Sequence, residues 1–253
     1  PGRRVEIVEF FKETFHKDNR KVYTLDMSPY APALYSGDEF FCINKDFNHL
    51  DKYIDEIINI CRNHNITSIL TLIDPELVLL SQNKTVDCHK KALDKINQKE
   101  WKFPLFAKLR NGSASIGIKK IDSVEDVNSI KEIPDYIYQP FIDGIELGVD
   151  AYFDMITGEL VSIFMKKKIA MRAGETDKAL SYKSEKVLNE IKKLVNIGGL
   201  FGPIDIDVFI DKNENVFINE INPRFGGGHP HAYGCGINFM QLILNNLNNK
   251  INS

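Results

Sequence analysis

Residues 204–228 read IDIDVFIDKNENVFINEINPRFGGG. Two apolar runs, IDIDVFI and VFINEIN, are separated by DKNEN, a cluster of turn formers, so the stretch predicts a β-hairpin. Side chains alternate along a strand, which puts Val216, Ile218, Glu220 and Asn222 on one face, with Glu220 and Asn222 about 7 Å apart. A turn centred between Asn213 and Glu214 sets Asp207 directly opposite Glu220, and directly paired residues point to the same side. Two carboxylates and an amide oxygen then converge at the end of a strand that leaves the sheet at Pro223 and Arg224.

Two acids side by side repel unless a cation lies between them. Magnesium prefers oxygen ligands and takes one or two carboxylates together with substrate phosphates, which suits Asp207, Glu220 and Asn222, with manganese as an alternative ion. A solvated hairpin edge suits the same residues. Composition narrows the rest. The chain has 253 residues, is 43% hydrophobic and carries a net charge of -3, enough apolar content for two or three lobes and no dominant basic surface for nucleic acid. The cationic run Lys166–Lys168 reads as a solvated strand end. Cys42, Cys61, Cys88 and Cys235 form no CxxC pair, as expected of reduced thiols in a cytoplasmic protein. No apolar run reaches the roughly 18–20 residues of a membrane span.

Outward from the hairpin, Val5 to Phe15 and Leu50 to Asn63 have helical periodicity, the latter with Ile54, Ile57, Ile58 and Cys61 on one face. KVYTLDMS, EFFCI and the start of SILTLIDPELVLL read as strands. Together they predict a small parallel α/β domain over residues 1–83. HKKALDKIN predicts a helix. Beyond it hairpins dominate: FPLFAKL and GIKKI around the loop RNGSASIG, YIYQPF and LGVDAYFD around IDGIE, then LVSIFMKKKIAM and the opening hairpin, with one helix from Ser184 to Val195. The expected division is 1–83, 84–142 and 143–253, with the metal site in the last part. The tail NNLNNKINS is expected to fray.

Two further segments carry polar chemistry. RNGSASIG offers Gly112, Ser113, Ser115 and Gly117, whose N–H groups and hydroxyls can close over phosphates, with Lys108 on the preceding strand as a point charge. A hairpin tip explains the same loop equally well. In YIYQPFIDGIELGVD, the backbone of Gln139, Pro140, Phe141 and Ile142 can address an adenine edge, and Glu146 can accept from ribose hydroxyls. A plain strand turning at Asp143–Gly144 is the alternative. His229 and His231, straddling Pro230, read as loop residues that could also serve as ligand or base.

In this order, Lys108 with RNGSASIG, QPFIDGIELGVD, MRAGETDKA, and Asp207 with INEINPR resemble the successive motifs of the ATP-grasp superfamily, and within it the carbamoyl-phosphate synthase large-chain-like proteins. SPYAPALYSGD and LIDPELVLL resemble that group's N-terminal domain. The resemblance implies a Rossmann-like parallel α/β domain followed by an ATP-grasp fold of mixed and antiparallel sheets. It implies that Lys108 and the Gly112–Gly117 loop meet the phosphates of ATP, that Gln139 to Ile142 form the adenine hinge, and that Glu146 holds the ribose. Arg172 would lie near the phosphates, Asp207, Glu220 and Asn222 would hold magnesium, and Arg224 would stabilise the transferred phosphoryl group. Two departures stand out. SQNKTVDCHKKAL passes directly between domains where the family carries a further ATP-contacting lysine, and the chain holds one ATP-binding half where a synthase large chain holds two, which argues against carbamoyl phosphate as product.

The expected activity is that of a ligase that phosphorylates a small carboxylate and lets an amine displace the phosphate, in a chain compatible with homo-oligomers. A small-molecule kinase and a non-catalytic nucleotide-binding subunit are the alternatives.

Overall fold

A computed structural model describes residues 2–44, 50–72, 97, 99, 101–109, 117–130, 133, 136–172 and 175–253. Gly112, Ser113, Ser115, Cys88, the segment 73–83 and most of HKKALDKIN lie outside the described residues.

The largest unit is a five-stranded antiparallel sheet in the order β10-β9-β6-β7-β8, built from β6 (Gly144–Phe153), β7 (Leu160–Arg172), β8 (Glu175–Tyr182), β9 (Gly202–Asp211) and β10 (Val216–Asn222). One face is apolar: Leu147, Val149, Ala151, Ile204, Ile206 and Val208 are buried against Val187 and Ile191 of helix α4 (Glu185–Lys193). That helix is capped by Ser184, whose hydroxyl accepts from Val187 N–H. Burying each such aliphatic side chain contributes about 1.5–3 kcal/mol, so this face is fixed as the core. Alternation then commits the other face to Glu146, Gly148 and Asp150 on β6, Asp205 and Asp207 on β9, and Lys166 and Lys168 on β7.

A three-stranded antiparallel sheet, β4-β3-β5, stands beside it: β3 (Leu105–Leu109), β4 (Lys119–Ile121) and β5 (Tyr136–Pro140). Helix α3 (Val124–Ser129) covers its core of Leu105, Ala107, Ile121, Val127 and Ile130. The helix is announced by a capping box in which Ser123 and Asp126 bond each other's backbone N–H, a signal present in the sequence and absent from the expectation above. Residues 141–143 join β5 to β6, and Phe141 N–H donates to Pro104 C=O at 3.1 Å. A Cβ on Gly144 would lie 2.0 Å from Ile210 C=O, so the joint closes tightly only because residue 144 is glycine.

The N-terminal part pairs β1 (Tyr23–Asp26) and β2 (Glu39–Cys42) in parallel. Helices α1 (Val5–Phe15) and α2 (Leu50–Asn63) have the expected bounds. The rest of this region departs from expectation. Residues 67–72 form no strand, and Ile54 and Ile58 of α2 are exposed while Tyr53 is buried. An apolar helix stripe is buried only when a sheet lies under it, and among the described residues no third strand extends β1 and β2.

The C-terminus also departs from expectation. HPHAYG is helix α5 (His229–Gly234), not a loop, and α6 (Phe239–Leu247) packs its Phe239, Met240 and Leu244 with Ile7 and Phe15 of α1. Phe10 stacks on Tyr233 at 3.7 Å between ring centroids. The tail is tied down rather than frayed: Asn252 donates from its backbone and side-chain nitrogens to Asp154 Oδ2, both at 2.9 Å. Cys42, Cys61 and Cys235 carry free thiols. Among the described residues no helix is long and apolar enough to cross a membrane.

Candidate active site

Asp207 and Glu220 are directly paired on β9 and β10, as the hairpin reading expects, but by a different route. The turn centres on Asn213: Asp211 N–H donates to Asn215 C=O at 3.0 Å, and Val216 pairs Ile210. That register alone would set Glu220 opposite Ile206. A β-bulge between Ile218 and Glu220 inserts Asn219 and restores the Glu220–Asp207 and Asn222–Asp205 pairs. The bulge corrects one statement of the sequence reading. Val216 and Ile218 pack on the apolar core, whereas Glu220 and Asn222 share the opposite face with Asp207 and Asp205.

The charged face is occupied by lysines. Lys168 Nζ donates to Glu146 Oε1 at 2.6 Å and to Asp207 Oδ1 at 2.7 Å, with 8% of its side chain exposed. Lys108 Nζ, from the three-stranded sheet, donates to Glu220 Oε2 at 2.6 Å. Lys166 is 1% exposed and paired with buried Asp150. The run Lys166–Lys168 is therefore not a solvated strand end: strand alternation turns Lys166 and Lys168 inward, toward acids on β6 and, for Lys168, on β9 beyond it. Gly148 provides the space, since a Cβ there would lie 3.2 Å from Lys166 Cε and 3.4 Å from Lys168 Cε.

Arg224 leaves β10 and returns to the same face, where Nη1 donates to Asp205 Oδ2 at 3.2 Å. The glycines after it lie flat on the charges. A Cβ on Gly226 would come within 2.4 Å of Asp205 Oδ1, and one on Gly228 within 2.7 Å of Lys166 Cε. His229 is fully buried between Phe225 and Phe239, its Nδ1 3.7 Å from Asp150 Oδ1. His231 is a separate feature, in reach of Ser181 Oγ at 3.0 Å.

The electrostatics follow from this crowding. Burial, then the charges of Asp207 and Asp150, push the Asp205 carboxyl up to about 6 against the pull of Lys166 and Arg224. Asp207 is also raised, by burial foremost, with Glu146 and Glu220 adding to it and Lys168 opposing. Burial would raise Asp150, but Lys166 and His229 outweigh it and hold the carboxyl low. Burial disfavours the Lys168 ammonium, yet Asp207 and Glu146 together raise its pKa.

The remaining expected residues are placed as follows. Gln139 lies at the end of β5, and its side chain donates to Asn219 Oδ1 at 2.6 Å, joining the interlobe connection to the bulge. Pro140, Phe141 and Ile142 complete the connection between the sheets, and Glu146 faces the acid row. Gly117 has φ +76 and accepts from Tyr136 O–H at 2.7 Å, a backbone role. Arg172 is exposed at the end of β7, opposite Glu175 of β8. Sequence reasoning missed Lys168, Lys166, Asp150 and Asp205. The signals were present in IDID and KKK, where residues two apart share a face.

As a magnesium site the donor set fits in chemistry. Asp207, Glu220 and Asn222 offer oxygen as acceptors, and the two paired carboxylates each carry a lysine ammonium as counter-charge. Among the described residues no group of three or more His, Cys, Asp or Glu side chains gathers around a common point, so two carboxylates and one amide are the available set.

Comparison with known proteins agrees with the architecture. Residues 1–92 match the model of the PylC-like N-terminal domain and residues 81–228 that of the ATP-grasp domain. The N5-carboxyaminoimidazole ribonucleotide synthase of Staphylococcus haemolyticus is 23% identical over 142 residues, 53% of this chain; the match spans only 38% of that relative. Among solved structures, an L-amino acid ligase from Bacillus licheniformis superimposes with a TM-score of 0.63 at 18% identity, over 97% of this chain and 72% of the other. The biotin carboxylase domain of the Hydrogenobacter thermophilus 2-oxoglutarate carboxylase, solved with MgADP, ADP and bicarbonate, gives 0.64 at 13% identity, over 95% and 67%. With more than half of its length matched by that domain model, the chain belongs to the ATP-grasp family.

Proposed function

We propose that this protein is an ATP- and magnesium-dependent ligase that activates a small carboxylate as an acyl phosphate for attack by an amine. The observation that carries the reading is the row Asp207, Glu220 and Asn222 beneath Lys108, placed where the interlobe connection Gln139–Ile142 meets the large sheet. The names of similar proteins, an amino acid ligase, a carboxyaminoimidazole ribonucleotide synthase and a biotin carboxylase domain bound to MgADP, point to the same class of chemistry. The motif resemblance to the carbamoyl-phosphate synthase large chain enters on the same footing, as does a division at 83/84 and 142/143. We assign the protein to the cytoplasm, with small-molecule partners and a homo-oligomer compatible with the fold.

In this reading the adenine sits against Gln139, Pro140, Phe141 and Ile142, the ribose on Glu146, and the phosphates under Lys108 and the loop of Gly112, Ser113, Ser115 and Gly117, with Arg172 at the periphery. Magnesium, held by Asp207, Glu220 and Asn222, would neutralise phosphate charge. Lys108 moves from Glu220 to the phosphates. The substrate carboxylate attacks the γ-phosphorus and ADP leaves. Arg224, held by Asp205, steadies the acyl phosphate. The amine then attacks the acyl carbon, inorganic phosphate departs and the amine loses a proton. Positioning and charge neutralisation account for catalysis of this kind.

The test is phosphate release from Mg·ATP across a panel of carboxylate and amine pairs. Phosphate release that requires both partners supports ligation. A phosphorylated acid that accumulates without an amine identifies a kinase, and ATP binding without turnover a nucleotide-binding subunit. Asp207→Asn and Glu220→Gln are expected to abolish metal-dependent ATP binding; full turnover in either disproves the site.

A further inference from the structure

The metal-ligand carboxylates already have cations. We infer that Lys168 and Lys108 are built-in counter-cations of Asp207 and Glu220, which keep a divalent ion out of the nucleotide-free protein and admit it only together with the phosphates of a nucleotide. This rests on the reading that Asp207 and Glu220 hold magnesium, and goes beyond it by assigning an order of binding.

Three observations support the inference. First, the ammonium groups sit on oxygens a divalent ion would need: Lys168 Nζ is 2.7 Å from Asp207 Oδ1 and Lys108 Nζ 2.6 Å from Glu220 Oε2. Second, the fold is shaped to let Lys168 reach so far. It stands on β7, yet contacts Asp207 on β9, across the intervening strand β6. It crosses beside Gly148, the residue of β6 paired with Asp207, where a Cβ would lie 3.4 Å from Lys168 Cε. Third, both side chains are largely sheltered, 8% exposed for Lys168 and 18% for Lys108, so their repulsion of an incoming cation is weakly screened.

A divalent ion entering alone must displace Lys108 from Glu220 and Lys168 from Asp207, which leaves Lys168 with Glu146 alone and close to the incoming charge. A nucleotide triphosphate changes the balance, because its oxygens give both lysines new partners and share the metal. Metal and nucleotide therefore raise each other's affinity by the same factor. Lys108 comes from the other sheet, so its bond to Glu220 also latches the two lobes until phosphates replace it.

The experiment measures Mn2+ binding by electron paramagnetic resonance on the whole chain without nucleotide. Wild type is expected to bind weakly. Lys168→Met should bind Mn2+ at least about tenfold more tightly, as loss of a sheltered unit charge a few ångströms away implies, and adding Asp207→Asn should reverse the gain. Lys168→Arg, which keeps the charge, should match wild type, and Lys108→Met should tighten binding independently if Lys168→Met folds poorly by circular dichroism. Failure of both methionine variants to gain affinity, or wild type binding Mn2+ alone as tightly as they do, overturns the inference. Binding of AMP-PNP separates this failure from that of the underlying reading: if Asp207→Asn leaves its magnesium dependence intact, the metal site itself is wrong and the inference falls with it.

Discussion

Two groups of acids lie on neighbouring strands of the same sheet and have opposite fates. Just past the end of β6, buried Asp154 accepts three hydrogen bonds at each oxygen. Ile156 N–H, Thr157 N–H and Thr157 O–H donate to Oδ1; Asn246 Nδ2, Asn252 N–H and Asn252 Nδ2 donate to Oδ2. Burial alone would raise its pKa, but these bonds hold it well below the usual carboxylate range. On the charged face Asp205 and Asp207 are only partly exposed, their neighbours include other carboxylates, and both are raised. The first arrangement is satisfied and holds structure together. In the second, like charges oppose the ion pairs, and carboxylates perturbed in this way cluster at functional sites.

Removing the satisfied acid should have the largest effect on stability. Asp154→Ala leaves six donors without their acceptor, several of them buried, and is expected to cost about 3 kcal/mol or more, a fall of roughly 6–12 °C in Tm. The tail around Asn252 should then become protease-sensitive, and an unchanged melting curve would contradict the clamp. Gly226→Ala addresses the other group. A Cβ 2.4 Å from Asp205 Oδ1 must push the Asp205–Arg224 pair aside, at about 1–3 kcal/mol, with a larger loss of turnover than of nucleotide binding. Equal losses would show that Arg224 does not depend on the glycines.

The smallest and most diagnostic effect is on pH dependence. Asp205 has a folded pKa of about 6, above the unfolded value of about 3.9. The folded state therefore holds the extra proton between those values, and stability falls as pH rises through that window. Asp154 is depressed, so its contribution is present above the unfolded pKa and is lost as pH falls below it. Thermal midpoints should rise modestly from pH 7 to 5 and drop below pH 4. Asp205→Asn should flatten the upper slope and Asp154→Ala the lower. A profile unchanged by both substitutions would mean that neither acid is coupled to folding as described.

Much of this contrast was legible in advance, and its limits are instructive. Asp207 opposite Glu220 followed from alternation and a turn, although two single-residue differences cancelled: the turn lies half a residue earlier than expected, and Asn219 bulges. Lys166 and Lys168 were misread because a run of three charges resembles a solvated surface until strands with acids are placed on either side. The same holds for Asp154, whose partners Asn246 and Asn252 are 92 and 98 residues away in sequence. The tail NNLNNKINS has the composition of a disordered end, and only a buried acceptor makes its asparagines ordering residues. The strand expected at the start of SILTLIDPELVLL is not formed over the described residues 68–72 for the converse reason: apolar composition fits a strand but does not by itself supply a pairing neighbour.

By itself the sequence determined periodicity: the alternation of the long strands of the large sheet, and hence that Asp205 and Asp207, and likewise Lys166 and Lys168, each share one face. These are local consequences of steric alternation and hydrophobic burial. Only the tertiary structure decided which charge meets which. Strand order brought β7 within reach of β9 across Gly148, the bulge at Asn219 turned Glu220 toward Asp207, and the glycines after Arg224 let the chain settle on Asp205 and Lys166. Coulomb interactions and close packing depend on distances between atoms, and neighbours remote in sequence acquire those distances only when the chain has folded.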